Sequence, residues 1–199
     1  MIDKSLQQFR RLQRASNRHQ SHLAVALGQR YCSRHPDHAP AWLFFGRALA
    51  ETARYSEARE ALRRALALAP PDRRATVIAQ LGHAEALAGD FAAAEKWYRE
   101  AFATAATQDE ERLYLGEILF RQGKLKEAET ILREVTGAWN ESLGEACRLL
   151  GDVLASQAQY VEALACFEHA VESAPDVRRH VQRVRELRKL VRRGGTAAT

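Results

Sequence analysis

Residues 42–70 read WLFFGRALAETARYSEAREALRRALALAP, and this stretch decides the fold. Trp42, Phe45, Gly46 and Leu49 recur at helical spacing in its first half, and Ala58, Leu62 and Ala65 do so in its second. The offsets predict two short antiparallel helices joined at Ala53-Arg54-Tyr55 and stopped at Pro70. Gly on the first helix and Ala on the second let the two axes approach closely. The large residues beside them fill the remaining groove.

The same spacing returns downstream. Gly46, Gly82, Gly116 and Gly151 are separated by 36, 34 and 35 residues, and Ala58, Ala94, Ala128 and Ala163 keep the same steps. A large apolar residue precedes each Gly (Phe45, Leu81, Leu115, Leu150), and another stands four places after each Ala (Leu62, Tyr98, Leu132, Phe167). Between them lie Ala53-Arg54-Tyr55, Gly89-Asp90-Phe91, Gly123-Lys124-Leu125 and Ala158-Gln159-Tyr160, each predicting a short turn. A supersecondary unit repeated at this period stacks on its own copies to bury a continuous core.

The pattern resembles the tetratricopeptide repeat family, whose 34-residue unit carries W-x2-L-G-x2-Y…A-x3-F…A…P. Trp42-Phe45-Gly46-Leu49-Ala58-Leu62-Ala65-Pro70 is the best copy, and Leu150-Gly151-Leu154-Ala163-Phe167-Ala170-Pro175 is close behind. The second copy departs at Glu85 and Ala106, and the third at Val135 and Asn140. The resemblance implies an all-α, right-handed α-solenoid of helix-turn-helix repeats. Four repeats are expected over 39–175, at about 39–72, 75–108, 109–142 and 144–177. Residues 1–38 read as a degenerate N-terminal repeat or capping pair, since Arg11 and Leu12 stand where the next unit has Phe45 and Gly46. Residues 176–193 read as a basic amphipathic capping helix with Asp176 at its N-cap. Residues 194–199 read as a disordered tail.

Composition agrees with helices. The chain is 46% hydrophobic, chiefly Ala and Leu, with five Pro and too few clustered β-branched residues to suggest strands. No apolar run approaches the ~20 residues of a membrane span, and the N-terminus lacks a signal-like apolar core, so a cytoplasmic protein is expected. Cys32, Cys147 and Cys166 show no CxxC spacing and read as reduced, buried thiols, with a disulfide or redox role as the alternative. The charge is +5 overall but divided: residues 1–35 carry +6, residues 176–199 carry +6 and the middle carries −7.

The resemblance also implies that the first helix of each pair lines a concave groove that takes a peptide or partner helix. The residues placed there are Leu43 and Arg47, His83 and Leu87, Leu113, Glu117, Phe120 and Arg121, and Arg148 and Asp152. Leu43, Leu87, Leu113 and Phe120 are not required by the repeat, so they offer apolar anchors, with the charged residues setting orientation. The Lys/Asn/Arg clamp with which some members hold chaperone tails is absent, because Leu43, Arg47, Gln80, Glu110 and Tyr114 fill its places. Two rival functions remain. The basic ends could bind nucleic acid or an anionic membrane, and the chain could be the partner-recruiting segment of a larger enzyme assembly. Weak self-association of a basic end with an acidic middle is a further expectation. No catalytic motif is present, the His35-x-x-His38 pair lacks other ligands, and no cofactor or metal is expected. Trp139, in the link at 136–140, reads as a contact point or as a side chain tucked against the next helix.

Overall fold

A computed structural model of the chain describes residues 4–104, 109–137, 143–173 and 177–195. Among these residues there are eleven α-helices and no strand. The chain divides into two compact units, Met1–Thr107 and Gln108–Thr199. The first holds α1 (Lys4–Asn17), α2 (Ser21–Arg34), α3 (Ala39–Glu51), α4 (Tyr55–Leu68), α5 (Pro71–Leu87) and α6 (Phe91–Thr104). The second holds α7 (Asp109–Arg121), α8 (Leu125–Thr136), α9 (Leu143–Ser156), α10 (Tyr160–Ser173) and α11 (Arg178–Gly195). Ala106, Trp139, Asn140, Pro175, Asp176 and residues 196–199 lie outside the described residues, with the expectations attached to them, whereas Gly194 and Gly195, expected in the tail, continue α11.

Consecutive helices pair antiparallel, and the turn between the two members of a pair has one design. His19, Ala53 and Gly89 in the first unit, and Gly123 and Ala158 in the second, adopt the left-handed conformation, with φ between +53° and +83°. The next residue then donates its N–H five places back: Gln20 to Ala15, Arg54 to Leu49, Asp90 to Glu85, Lys124 to Leu119 and Gln159 to Leu154, all at 2.9–3.0 Å. This closes the free carbonyls of the first helix and reverses the chain. Only Gly adopts that backbone without steric cost, so Ala53 and Ala158 hold it under strain from their own Cβ atoms. The 1–38 pair carries the same turn at His19, although its small-residue signature is missing.

Within each pair, the repeated Gly is a steric requirement. A Cβ at Gly46 would lie 2.7 Å from Leu62. At Gly82 it would meet Tyr98 at 2.9 Å, at Gly116 Leu132 at 2.6 Å, and at Gly151 Phe167 at 2.7 Å. The large side chain four places after the repeated Ala therefore occupies the space above the Gly, and Ala58, Ala94, Ala128 and Ala163 are fully buried beside it. In the first unit, Gly28 of α2 makes similar room for Phe45 of α3, joining one pair to the next. The core of the first unit gathers Leu12, Leu49, Leu62, Leu81 and Tyr98; that of the second gathers Leu115, Leu119, Leu132, Val153, Leu154 and Phe167. In the second unit, α11 packs on α10 and buries Val184 and Leu187.

Glu85 stands where Leu49, Leu119 and Leu154 stand in the other pairs, and it is only 6% exposed. Arg59 of α4 resolves the departure. Its Nε and Nη2 donate to the two Glu85 carboxylate oxygens at 2.8 and 2.6 Å, a bidentate pair across the α4–α5 interface. That bond holds the Arg59 guanidinium above its ordinary pKa.

Arg59→Ala, which strands a buried carboxylate, is expected to cost about 3 kcal/mol in urea unfolding. Glu85→Leu should fall within about 1 kcal/mol of wild type, and Arg59→Ala with Glu85→Leu should recover most of the loss. If the single and double variants are equally unstable, the pair does not explain Glu85. Separately, Ala53→Gly and Ala158→Gly are each expected to raise stability by about 1 kcal/mol by relieving the left-handed strain, measured by the same denaturation.

Candidate functional site

In the first unit, α1, α3 and α5 are the first helices of successive pairs, and α3 packs against both of the others. The residues expected on this face divide by what they touch. Arg47 is turned toward α1. Its Nη2 donates to Ser16 Oγ at 2.8 Å and to Asn17 Oδ1 at 3.0 Å, and its Nε donates to Ser16 Oγ at 3.1 Å. The guanidinium also lies 5.6 Å from the Phe44 ring centroid. Glu51, one turn on, accepts a hydrogen bond from Ser21 Oγ. Arg47 and Glu51 thus pin the α1–α2 turn to α3, and Arg47 is occupied within the fold. Leu43 is half-buried against the core. On α5, His83 is half-buried and Leu87 is 41% exposed, so Leu87 leaves apolar surface in solvent.

In the second unit, the first helices are α7 and α9. Leu113 is 9% exposed and packs inside, which removes it as an anchor: its place on the helix faces the core. Phe120 is half-buried, with part of its ring at the surface. Glu110, Tyr114, Glu117 and Arg121 follow one another at intervals of four, three and four residues, which puts them on a single helix face. Arg121 Nη2 pairs with Glu117 at 2.7 Å. The Tyr114 hydroxyl donates to Glu110 Oε1 at 3.3 Å. Its pKa is raised, first by burial and then by the charges of Glu110, Glu117 and Glu111. The tyrosine therefore stands in a negative field.

On α9, Arg148 and Asp152 are brought together. Arg148 Nη1 donates to Asp152 Oδ2 at 2.8 Å, while Nη2 and Nε take Glu145 at 2.5 and 2.9 Å. Arg183 of α11 approaches Asp152 at 4.0 Å. The Glu145 hydrogen bond, ahead of the other surroundings, raises the Arg148 pKa. Burial raises the Asp152 pKa, against the opposing pull of Arg148 and Arg183. The two residues form a neutralised cluster that borders a cavity of about 190 Å³ with Arg179 and Arg183.

Other features carry packing. His38 caps α3 through Nδ1, which accepts from the Ala41 N–H at 3.2 Å, and its ring lies 4.6 Å from Phe9. His35 stacks 4.4 Å from Tyr31. The His35-x-x-His38 spacing thus serves a helix start and an aromatic cluster. Burial pushes the Cys32 thiol up to about 12, and burial with Cys147 nearby pushes Cys166 up to about 11, so both stay protonated near neutral pH. A cleft of about 700 Å³ in the first unit, floored by Trp42 and Phe45 and edged by α2 and α4, has no mark in the repeat pattern. Trp42 reads as mortar from its place in the repeat, yet it is half-buried and donates Nε1–H to Pro36 O at 2.8 Å at the cleft margin.

Comparison with known proteins agrees with this architecture. The family model described as Tetratricopeptide repeat matches residues 12–81. The one described as Anaphase-promoting complex, cyclosome, subunit 3 matches residues 88–170. TTC0263, a thermophilic TPR protein in Thermus thermophilus, is similar with a TM-score of 0.71 and 18% identity, over 92% of this chain and 98% of its own. YrrB, a TPR protein with an unusual peptide-binding site, is similar with a TM-score of 0.66 and 19% identity, over 88% and 89%. A chain of the APC/C hetero-tetramer Cut9-Hcn1 has a TM-score of 0.73 and 12% identity, over 95% of this chain but 40% of its own. No curated protein matches. At these identities the structures establish a fold of α-helical repeats. Together with the two family models and the residue pattern, they place this chain in the tetratricopeptide repeat family.

Arg47→Ala is expected to loosen the first helix without unfolding the unit, because Ser16 would lose its bond inside a fully buried site. Amide hydrogen exchange over residues 4–17 should accelerate by about tenfold, with α3 and α4 little changed. Unchanged exchange in α1 would mean that Arg47 is available to a partner.

Proposed function

We propose that the chain is a non-catalytic protein-interaction scaffold of five helix pairs, 1–38 and the four repeats over 39–175, with α11 as a cap. A peptide or partner helix lies along the faces of the first helices. On the α7–α9 face the partner is a basic segment with an apolar side chain for Phe120. The observation that carries this reading is the acidic face around Tyr114, where burial first, and then the charges of Glu110, Glu117 and Glu111, hold the phenol above its ordinary pKa. Arg121 offsets Glu117, yet α7 carries four acids, Asp109, Glu110, Glu111 and Glu117, against two bases, Arg112 and Arg121, so its charge stays negative. A Lys or Arg of the partner would meet carboxylates, and its neighbouring apolar residue would cover Phe120. On the α3–α5 face, Leu87 is the exposed apolar contact and His83 stands one turn before it. Tetratricopeptide repeats serve typically as interaction scaffolds, and YrrB, a protein of the same fold, has a peptide-binding site. Both support the class of activity.

A test is selection of displayed random 12-residue peptides on the intact protein, followed by affinity measurement with the enriched sequences. Enriched peptides should carry Lys or Arg beside an aromatic or aliphatic residue. Phe120→Glu and Glu117→Lys should each weaken binding by about tenfold or more. Enrichment of acidic peptides, or affinities indifferent to both substitutions, would sink the proposal.

A further inference from the structure

The last helix carries a feature that the scaffold reading does not use. Arg178, Arg185, Lys189 and Arg192 are all exposed. At 3.6 residues per turn their spacings of seven, four and three place them within an arc of about 60°, along roughly 21 Å of helix. The residues that fix α11 to α10, Val184 and Leu187, point to the other side of the helix. Among the described residues, none of these four cations forms an ion pair with an acidic group. By contrast, Arg183 is tied to Asp152 and Glu186, and Arg188 to Glu168. Glu186 is the one acid between residues 178 and 195. It is engaged by Arg183 and Gln182, and Lys189 adds only its field there. The outward face is thus a straight track of positive charge that is not paired off within the fold.

We propose that this strip of α11 binds the phosphate backbone of a double-stranded nucleic acid without reading its sequence. Three observations select this partner. The track is linear and its length spans about six base pairs, so one strip can follow a regular file of phosphates. No aromatic lies among the four cations, and Gln182, the amide nearest them, is tied to Glu186, so base edges and stacked bases have nothing to meet. A membrane fits poorly. An interfacial helix needs a free apolar face, but Val184 and Leu187 are spent on α10, and Leu190, 37% exposed, projects more than a quarter turn from the strip. The strip lies on a different helix from the peptide-binding faces, so the two functions stand or fall separately.

The experiment is fluorescence anisotropy of the full chain with a labelled 20-base-pair DNA duplex between 50 and 200 mM NaCl. The comparison is with the variant Arg178→Gln, Arg185→Gln, Lys189→Gln, Arg192→Gln. Four phosphate contacts contribute a slope of about −3.6 in log affinity against log salt, so the variant should lose about that much slope, and wild-type affinity should fall roughly 100-fold more than the variant's between 50 and 200 mM. A charge-matched control replaces Arg34, Arg63, Lys96 and Lys126, exposed residues on α2, α4, α6 and α8, with Gln. It should retain wild-type binding in this assay. Equal losses in the two variants would mean that net charge alone attracts the duplex, and the proposal would fail. It would also fail if wild type does not bind at 50 mM NaCl, or binds only vesicles of phosphatidylserine and phosphatidylcholine. Circular dichroism of both variants, expected to match wild type because all eight residues are exposed, separates lost binding from lost fold.

Discussion

The close approach of two helices over a glycine is the constraint on which the rest depends. In four successive pairs the first helix omits a side chain so that a Leu, Tyr or Phe of the second can sit on its backbone. Dispersion and apolar burial gather there, and a methyl group would have to displace the ring or branched side chain that fills the space. Because that contact recurs every 34–36 residues, it also sets where the next pair begins and which faces remain uncovered. Geometry at Gly46, Gly82, Gly116 and Gly151 therefore decides which residues are left to meet a partner.

Much of this was legible in the sequence because packing against a near neighbour leaves a periodic mark. The Gly and Ala steps, the turn triplets and the stop at Pro70 all act within one pair. What stayed hidden depends on partners outside the period or on backbone conformation. Glu85 looks like a defect of the second repeat until Arg59, 26 residues earlier, is seen to bind both of its oxygens. Ala53 and Ala158 do not advertise a left-handed turn as Gly89 and Gly123 do. Their backbone is set by the helix pair that closes around them.

The candidate surface was legible in outline but not residue by residue. Projecting the first helices locates a face, yet one helical step separates a core residue from a surface one. Leu113 falls on the inner side of that boundary and Phe120 straddles it. Arg47 lies at the right place on its helix but is claimed by Ser16 and Asn17 of a pair whose repeat signature is too weak to forecast the contact. The acidic character of the α7 face was also unmarked, since Glu110 and Glu111 read equally well as charges complementing a helix start. Their effect on Tyr114, a turn further on, gives them a second meaning.

The division of charge follows from the same architecture. A repeat prescribes its buried positions and leaves its exposed ones free, so solvent-facing composition can drift toward whatever a surface has to do. In the second unit this freedom has been used in opposite ways on two helices. The exposed face of α7 gathers carboxylates around Tyr114, while the outer side of α11 aligns cations and keeps its lone acid tied to Arg183 and Gln182. A merely soluble cap would be served by mixed signs, which offset one another along a helix through pairs three and four residues apart. Arg178, Arg185, Lys189 and Arg192 lack such pairing, on a helix where Arg183 and Arg188 are paired across to α9 and α10. That contrast is what turns a basic composition into a directional surface.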